Sequence, residues 1–544
     1  MSGITHEVRN QVPELSDYNL YLSDPALQEA VKREGAQWHD EALRHYGARL
    51  GSKESFAWAH DANRHKPELE AFDRCGFRVD RVHFHPDWHR IMRMAFLQGM
   101  HSSAWSDPKP GAQAARAATY LLHGQVEAGS LCPITLTSAA IPVLREEPWF
   151  DSIAPLLYSL RYDERDLPLS SKTSMTIGMG MTEKQGGSDL RSNATSAVPV
   201  GVAGRGAEYR LLGHKWFFSS PASDAHLVLA RHEDRLSCFY VPRWCADGSK
   251  NQVHIQRLKN KMGNRSNASG EVEFNDASAI MVGEEGRGIA TLLTMASYTR
   301  LDCILGSTAL IRQSLVQALH HARHRQAFGR VLIEQELMQA VLTDLVLESE
   351  AATVLAMRLA HAFDAGGDLL DQAYRRILTP AAKFWVCKRA IAAAAECMEV
   401  WGGNGYIEDG PMPRLLREAP VNSIWEGSGN VICLDVLRAV KSHPDLAQAL
   451  IQMLLNDCAD EALLADSVHG LISLLSGEEA GLESAGRLVA QELVLLVQAC
   501  LLRRHAPQAL ADAFILTRFG GRGGRVFGVS QRPVPSLLER AWPM

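Results

Sequence analysis

The hydrophobic period of this chain changes twice along its length, and those two changes constrain the fold more than any other feature. From the N-terminus to about residue 180, apolar residues recur at three- and four-residue spacing, as at Ala26-Leu27 and Val31, and Ala114 to His123 is dense in helix formers. Between Thr176 and about Val282 the runs alternate with period two: Leu227-Val228-Leu229, Cys238-Phe239-Tyr240-Val241, Val253 to Leu258 and Glu271-Val272-Glu273-Phe274. Val, Phe and Tyr between Gly, Asn and Asp turns predict a compact β domain, with Glu271 and Glu273 on the wet face of one strand. Helical spacing returns at Gly288. Leu337, Val341, Leu342, Leu345 and Val346 form one stripe, Ala351 to Phe363 continues it, and Pro380 opens a further helix through Lys383 and Lys388 to Met398. Long helices with short links favour an antiparallel bundle. After Ser442-His443-Pro444 the chain becomes a Leu/Ala-rich helical tail. The predicted fold is mainly α with a central β domain, divided as 1–180, 181–287, 288–440 and 441–544.

Charge and cysteine usage narrow the chemistry. A formal net charge of −6 exerts no global pull on nucleic acid or an anionic membrane, so any such attraction is local. The ten cysteines are scattered, with no CxxC pair, and read as reduced thiols of a cytoplasmic protein. Met1 to Pro13 is polar and lacks the apolar core of a secretory signal, and the apolar run Leu493 to Leu502 is short and contains Gln498, which predicts a core helix rather than a membrane span. His60, His65, His83, His85 and His89 lie close together, but the run matches no metal-ligand spacing, so no metal is expected.

One stretch, Val421-Asn-Ser-Ile-Trp-Glu-Gly-Ser-Gly-Asn430, holds a single carboxylate, Glu426, between an aromatic and a glycine. By itself it admits two readings. Glu426 is a solvated residue capping the helix over Val431 to Val440, or it faces a cleft that Gly427 lets a ligand approach. Upstream, Gln125 to Pro133 ends one helix at a glycine and restarts the chain after a proline, a segment suited to line a cleft.

Three further stretches stand in order with it: Met181-Thr-Glu-Lys-Gln-Gly-Gly-Ser-Asp189, Gly213-His-Lys-Trp-Phe-Phe218 and Arg325-Gln-Ala-Phe-Gly329, while Gly402-Gly-Asn-Gly-Tyr406 leads into the Glu426 stretch. On a helix–β–helix chain this order resembles the acyl-CoA dehydrogenase family of flavoproteins over about residues 80–440, and the combination is far more specific than any one glycine pair. The resemblance implies FAD as cofactor and Glu426 as the base that removes a proton α to a thioester carbonyl. It implies FAD contacts from Met181, Thr182, Gly187 and Ser188, from Trp216, Phe217 and Phe218, and from Asn422, Ser423, Ser428 and Asn430. Thr182 and Ser188 offer hydroxyls, bare backbone at Gly186-Gly187 offers N–H donors, and Trp216 offers a flat stacking face, although a β-core tryptophan is the plain alternative. In the family, the stretches holding Arg325 and Phe328 and holding Gly402 and Gly403 reach the FAD of a neighbouring subunit, which implies a homotetramer.

Three departures separate this chain from most of the family. Lys184-Gln185 stands where proline is common, Trp216-Phe217-Phe218 where Trp-Ile-Thr is common, and Trp425 where tyrosine is frequent. Read in that register, the hydroxyl near the flavin N5 is lost and bulk is added, so a small branched acyl-CoA or an alkylating electrophile is the expected substrate. These features, with Gly263-Asn-Arg-Ser-Asn-Ala-Ser269, resemble one branch, the bacterial alkylation-response flavoproteins, over the whole chain. That branch implies weak dehydrogenase activity and binding of double-stranded DNA by the C-terminal domain. The tail supports both readings: residues 441–500 carry Lys441 and Arg487 against nine acids, whereas 501–544 carry seven arginines against Asp512 and Glu539. Arg518, Arg522 and Arg525 in a Gly-rich run, with Arg438 and Lys441, are the candidate phosphate contacts; the alternative is arginines that pair with the acidic helices just before them. An ordinary short- or branched-chain acyl-CoA dehydrogenase without a DNA role is the other reading of the whole.

Overall fold

The computed structural model describes residues 5–364, 366–477, 479–521, 526–529 and 533–543. Two compact units emerge, and they do not follow chain order. One comprises residues 54–302 with 426–428, the other residues 1–53, 303–425 and 429–544.

The first unit is built on a seven-stranded sheet. Its strands are β3 (Ile177–Thr182), β4 (Ser196–Pro199), β5 (Glu208–Ser219), β6 (Ala225–His232), β7 (Arg235–Pro242), β8 (Val253–Leu258) and β9 (Ser269–Val282), in the order β3-β5-β4-β6-β7-β9-β8. Further pairings of β3 with β6 and β5 with β9 fold the sheet back on itself around Tyr209, Phe218, Phe239, Phe274, Val228 and Ile255. Val272 and Phe274 enter this core while Glu273 is exposed, as the period-two pattern requires. A hairpin absent from the helical expectation precedes the sheet: β1 (Glu68–Phe72) and β2 (Arg78–His83) pair antiparallel, and Leu69 and Val82 pack on the sheet core. Its alternation lasts only a few residues between helices, too short to outweigh the surrounding helical spacing. The nearby histidines are engaged by neighbours: His83 Nε2 lies 2.8 Å from Glu70 Oε2, and His89 Nδ1 lies 3.2 Å from the Tyr162 hydroxyl. Helices Ala112–Val126 and Leu131–Leu144 are almost wholly buried. Arg116 joins them to Asp302 by two bonds of 2.8 and 2.7 Å, and the Thr135 hydroxyl donates to the same carboxylate at 2.8 Å.

The second unit is helical. Helices Glu336–His361, Thr379–Val400, Met412–Asn422 and Gly429–Ser442 pack with the tail helices Pro444–Cys458, Ala462–Leu475, Glu479–His505, Gln508–Phe519 and Pro535–Ala541. Gly481–His505 is long and apolar enough to cross a membrane, yet it is mostly buried against the helices over 336–361, 379–400 and 429–442. Buried Arg312 ties the ends of the chain to this bundle: it pairs with Asp24 at 3.2 Å and donates to the Ala541 carbonyl at 2.7 Å.

Burial gives the sheet unit a specific acid sensitivity. Loss of hydration pushes the imidazoles of His101, His123 and His226 down to about 3, about 4 and about 3. A histidine held neutral in the fold contributes no pH dependence above ~6.5, where the unfolded chain is also neutral, and costs up to about 1.4 kcal/mol per pH unit below it. Guanidinium unfolding midpoints are therefore expected to be level between pH 8 and 7 and to drop between pH 6.5 and 5, before the carboxylates titrate; a level midpoint down to pH 5 would contradict this.

Candidate active site

The stretch after β3 is anchored from beneath by a carboxylate that sequence reasoning passed over. Glu183 accepts hydrogen bonds from Ala194 N at 2.7 Å, Thr195 N at 3.1 Å, Thr195 Oγ1 at 2.6 Å and Lys215 Nζ at 2.7 Å. Neither the Glu183 nor the Lys215 side chain has any exposure to solvent. Burial pushes the Glu183 carboxyl up, but the Lys215 charge and the N–H donors outweigh it and bring the group down to about 2. The Met181 carbonyl accepts from Asn193 Nδ2 at 2.8 Å, so the loop is held on its inner side while Ser188 is exposed and Thr182, Gly186 and Gly187 are half-buried.

On β5 the structure corrects the expected register. Phe218 is wholly buried, with its ring stacked on His226 at 4.2 Å, and it closes so tightly on Gly180 that a Cβ there would meet the ring at 2.5 Å. Its ring belongs to the sheet core, so the side chain offers no open face to a cofactor. Trp216 is half-buried and carries Lys259 Nζ 3.4 Å from its ring centroid, with Arg257 and Lys184 within 6 Å, so its face is taken by cations. An irregularity in the β5–β9 pairing between Lys215 and Phe218 shifts the alternation. As a result Phe217, 53% exposed, stands opposite Thr182 across the strand pair, and Ser219, two residues on, shares its face. Phe217 is the open aromatic surface, and Ser219 carries a hydroxyl on the same face. Strand alternation was the available signal, masked by the bulge.

Glu426 adopts a left-handed backbone, φ 60°, unusual for a residue with a side chain. Its Oε2 accepts from the Thr299 hydroxyl at 2.7 Å, and its carbonyl accepts from Arg300 Nε at 3.2 Å. The preceding carbonyl, of Trp425, accepts from buried Lys383 Nζ at 2.7 Å. The next helix begins at Gly429, so Glu426 is not its solvated cap. Gln125 to Pro133 belongs to the same neighbourhood: burial pushes the Cys132 thiol up to about 11, and the Glu426 charge adds to that push. The polar side chains that flank Glu426 in sequence are engaged by protein partners. Asn422 is buried, donates to Ser307 Oγ at 3.2 Å and accepts from Trp425 Nε1 at 3.0 Å; Ser423 Oγ donates to the Pro420 carbonyl at 2.9 Å; Asn430 accepts from Arg487 at 2.8 Å. Ser428 is exposed.

In the helical unit, Arg325 closes the long helix Gly288–His324, and β10 (Gln326–Ala327) and β11 (Arg330–Val331) form a minimal hairpin. Its two turn residues, Phe328 and Gly329, have φ 55° and 77°, the left-handed pair of a tight hairpin, and Phe328 is 98% exposed. Trp401 Nε1 donates to the Gln317 carbonyl at 3.1 Å and its ring stacks on His321 at 4.8 Å, which holds exposed Gly402 and Gly403 near the same helix end.

The tail arginines find acids. Arg518 is buried between Asp344 at 2.7 Å and Glu348 at 3.2 Å, which removes it from the candidate DNA contacts. Arg503 pairs with Asp460, Arg504 with Asp457, and Arg540 with Glu350 and Glu29. Arg522 and Arg525 lie outside the described residues. Arg438 and Lys441 are exposed on helix Gly429–Ser442.

A carboxylate held by Thr299 and Arg300 in a unit with an aromatic-faced sheet, in a chain that also forms a helical bundle, is the pattern of a protein of acyl-CoA dehydrogenase type. Comparison agrees in each part: residues 178–277 match the acyl-CoA dehydrogenase middle domain, 286–441 its C-terminal domain, and 10–164 the adaptive response protein AidB N-terminal domain. A protein of Escherichia coli K12 called AidB, itself classed with acyl-CoA dehydrogenases, is 47% identical over 541 residues, 99% of this chain and 98% of its own. The chain belongs to the acyl-CoA dehydrogenase family, in its AidB branch. Caenorhabditis elegans ACDH-11, solved in complex with C11-CoA, shares the fold at a TM-score of 0.85 and 24% identity, covering 97% of this chain and 94% of that one. So does a Bacillus anthracis acyl-CoA dehydrogenase complexed with FAD, at 0.62 and 17% identity, covering 80% and 78%.

FAD is the cofactor of this family, and the residues present fit it. Phe217 leaves a flat face open beside Thr182, Ser219 offers a hydroxyl on that side, and the Gly186-Gly187 backbone carries no side chain to block close approach. Since the Glu183–Lys215 pair carries this loop, Lys215→Met is expected to leave a buried charge unpaired and to cost about 3–5 kcal/mol, with loss of FAD on gel filtration. The double variant Lys215→Met/Glu183→Leu should recover most of that stability in a thermal melt. A single variant as stable and as yellow as the parent would contradict the assignment.

Proposed function

We propose that the chain binds FAD and removes two hydrogens from a small, branched acyl-CoA thioester, with Glu426 as base. The clamped, left-handed Glu426 carries this reading. A residue that keeps a side chain in that backbone region costs roughly 1–3 kcal/mol, and such strain persists where neighbours over-determine it. Thr299 orients the carboxylate, and the hold of Arg300 on the Glu426 carbonyl and of Lys383 on the Trp425 carbonyl keeps it from swinging. Glu426 takes the proton from the carbon α to the thioester carbonyl. Bound FAD supplies the hydride acceptor. The Phe217 face and the Ser219 hydroxyl orient it, and Trp425 beside the base narrows the space for the acyl group. The C11-CoA complex of ACDH-11 supports a CoA thioester as the substrate class. An alkylating electrophile is the other substrate class we propose, by a reaction separate from this dehydrogenation.

The active form is proposed as a homotetramer. Phe328 at 98%, Tyr406 at 79% and Ile407 at 47% exposure sit on the two stretches that the family lends to a neighbouring subunit's FAD. We further infer a role beside DNA in the alkylation response, since the similarity to AidB extends through the tail. With Arg518 committed to acids, duplex binding would rest on Arg438, Lys441, Arg522 and Arg525.

Anaerobic bleaching of the yellow protein by isovaleryl-CoA is expected to fall about 10²- to 10⁴-fold in Glu426→Gln. Bleaching of that variant at the parent rate would remove Glu426 as the base. Duplex affinity should weaken steeply with salt, and Arg438→Ser/Lys441→Ser together with Arg522→Ser/Arg525→Ser should flatten the slope. Binding that ignores salt or these changes would remove the DNA reading and leave an ordinary dehydrogenase.

A further inference from the structure

Residues 5–17 contain no helix or strand, yet one side chain in them does the work of a strand. Asn10 pairs with the backbone of Gln326 through both ends of its amide: Nδ2 donates to the Gln326 carbonyl at 2.8 Å, and Oδ1 accepts from Gln326 N at 2.8 Å. This is the two-bond pattern of an antiparallel residue pair, made by a side chain on the outer edge of the β10–β11 hairpin. The Asn10 carbonyl in turn accepts from Arg325 Nη1. Asn10 has φ 55°, a region asparagine tolerates better than most residues, and this backbone lets one residue present its amide and its carbonyl to successive residues of the hairpin arm. Three residues on, the Pro13 carbonyl lies 2.9 Å from His320 Nε2, a second tie to the same helix end.

Arg325 differs from the arginines of the tail. Arg503, Arg504, Arg518 and Arg540 are each matched to carboxylates, whereas among the described residues no carboxylate pairs with Arg325. Its guanidinium gives one N–H to a carbonyl, which orients the plane without neutralising the charge. A planar fork held this way suits a phosphate oxygen pair.

We propose that Asn10 is a positioning residue for the cofactor: it braces the hairpin and aims the Arg325 guanidinium at the phosphates of an FAD held by the neighbouring subunit. This rests on the cofactor reading of the hairpin given above. It adds that the N-terminal segment, which lies outside the chain's dehydrogenase-type middle and C-terminal domains, is part of the cofactor site.

The test uses the full-length chain stripped of flavin and titrated with FAD, read by quenching of flavin fluorescence at several salt concentrations. Asn10→Gly keeps the left-handed backbone and the carbonyl that Arg325 uses, and removes only the amide pair. It is expected to weaken FAD binding about five- to tenfold, the range that loss of one or two net hydrogen bonds allows, and to flatten the salt dependence. Arg325→Gln should weaken binding at least as much, and the double variant should be no worse than Arg325→Gln alone, because both act through one contact. Asn10→Asp, which keeps the acceptor and loses the donor, should fall between. Parent-like affinity in Asn10→Gly with weakened Arg325→Gln overturns the role of Asn10 and leaves the cofactor reading standing. Parent-like affinity in Arg325→Gln defeats that reading and this inference with it. A loss of affinity in Asn10→Gly that tracks dissociation in sedimentation, or a lowered melting temperature of the flavin-free protein, would make Asn10 merely structural and also overturns it.

Discussion

At the root of the loop that follows β3, a lysine and a glutamate share a site from which water is wholly excluded. Taking both Lys215 and Glu183 out of water is costly, and their mutual attraction offsets that cost only because the remaining acceptor capacity of the carboxylate is filled by Ala194 N, Thr195 N and the Thr195 hydroxyl. A hydrophobic pair would pack as well. The ion pair adds register. Lys215 lies directly before the irregularity that turns Phe217 outward and Phe218 inward, and Glu183 lies directly after Thr182, the residue opposite Phe217. Pinning Lys215 to Glu183 thus sets which phenylalanine of the Trp-Phe-Phe run faces outward and which fills the core. A slip of one residue would exchange them.

The helix–β–helix order was legible because each segment is long enough for its period to dominate. The strands over 225–232, 235–242 and 253–258 and the helices over 336–361 and 379–400 all appear in the stretches where the periodicity calls for them. The β1–β2 hairpin was not legible, because its stability comes from Leu69 and Val82 docking on a sheet formed far along the chain. Glu426 was singled out by its neighbours in sequence. Its partners Thr299 and Arg300 lie more than a hundred residues away in an ordinary helical run, where nothing in the local pattern separates them from other helix residues. The exposure of the Trp216-Phe217-Phe218 run was hidden for a related reason: composition marked an aromatic cluster, but a bulge decides which ring faces out.

The tail illustrates how charge counted along a sequence differs from charge presented by a fold. Seven arginines in 44 residues suggest a basic surface. Four of them instead staple the tail helices: Arg503 and Arg504 within the tail itself, Arg518 and Arg540 to the bundle helix over 336–361. Arg518 is the instructive case. It begins the Gly-rich basic run, yet Asp344, Glu348 and, through Glu348, Arg389 enclose it in a buried network whose charges are nearly balanced. Any phosphate-binding surface must therefore be drawn from cations that the bundle does not consume.

Nine residues with side chains have a positive φ among the described residues, and two of them, Glu426 and Phe328, lie one in each compact unit. Their local settings differ in a way that separates two kinds of strain. Glu426 is held from the protein side by a hydroxyl and a guanidinium, so its geometry is complete within one chain. Phe328 sits in the two-residue turn of its hairpin and exposes nearly all of its ring. Strain at the first site is balanced by partners within the same unit. At the second, a bulky apolar ring is projected where a glycine or asparagine would satisfy the turn more cheaply, so the strain there is set by the turn and not by packing.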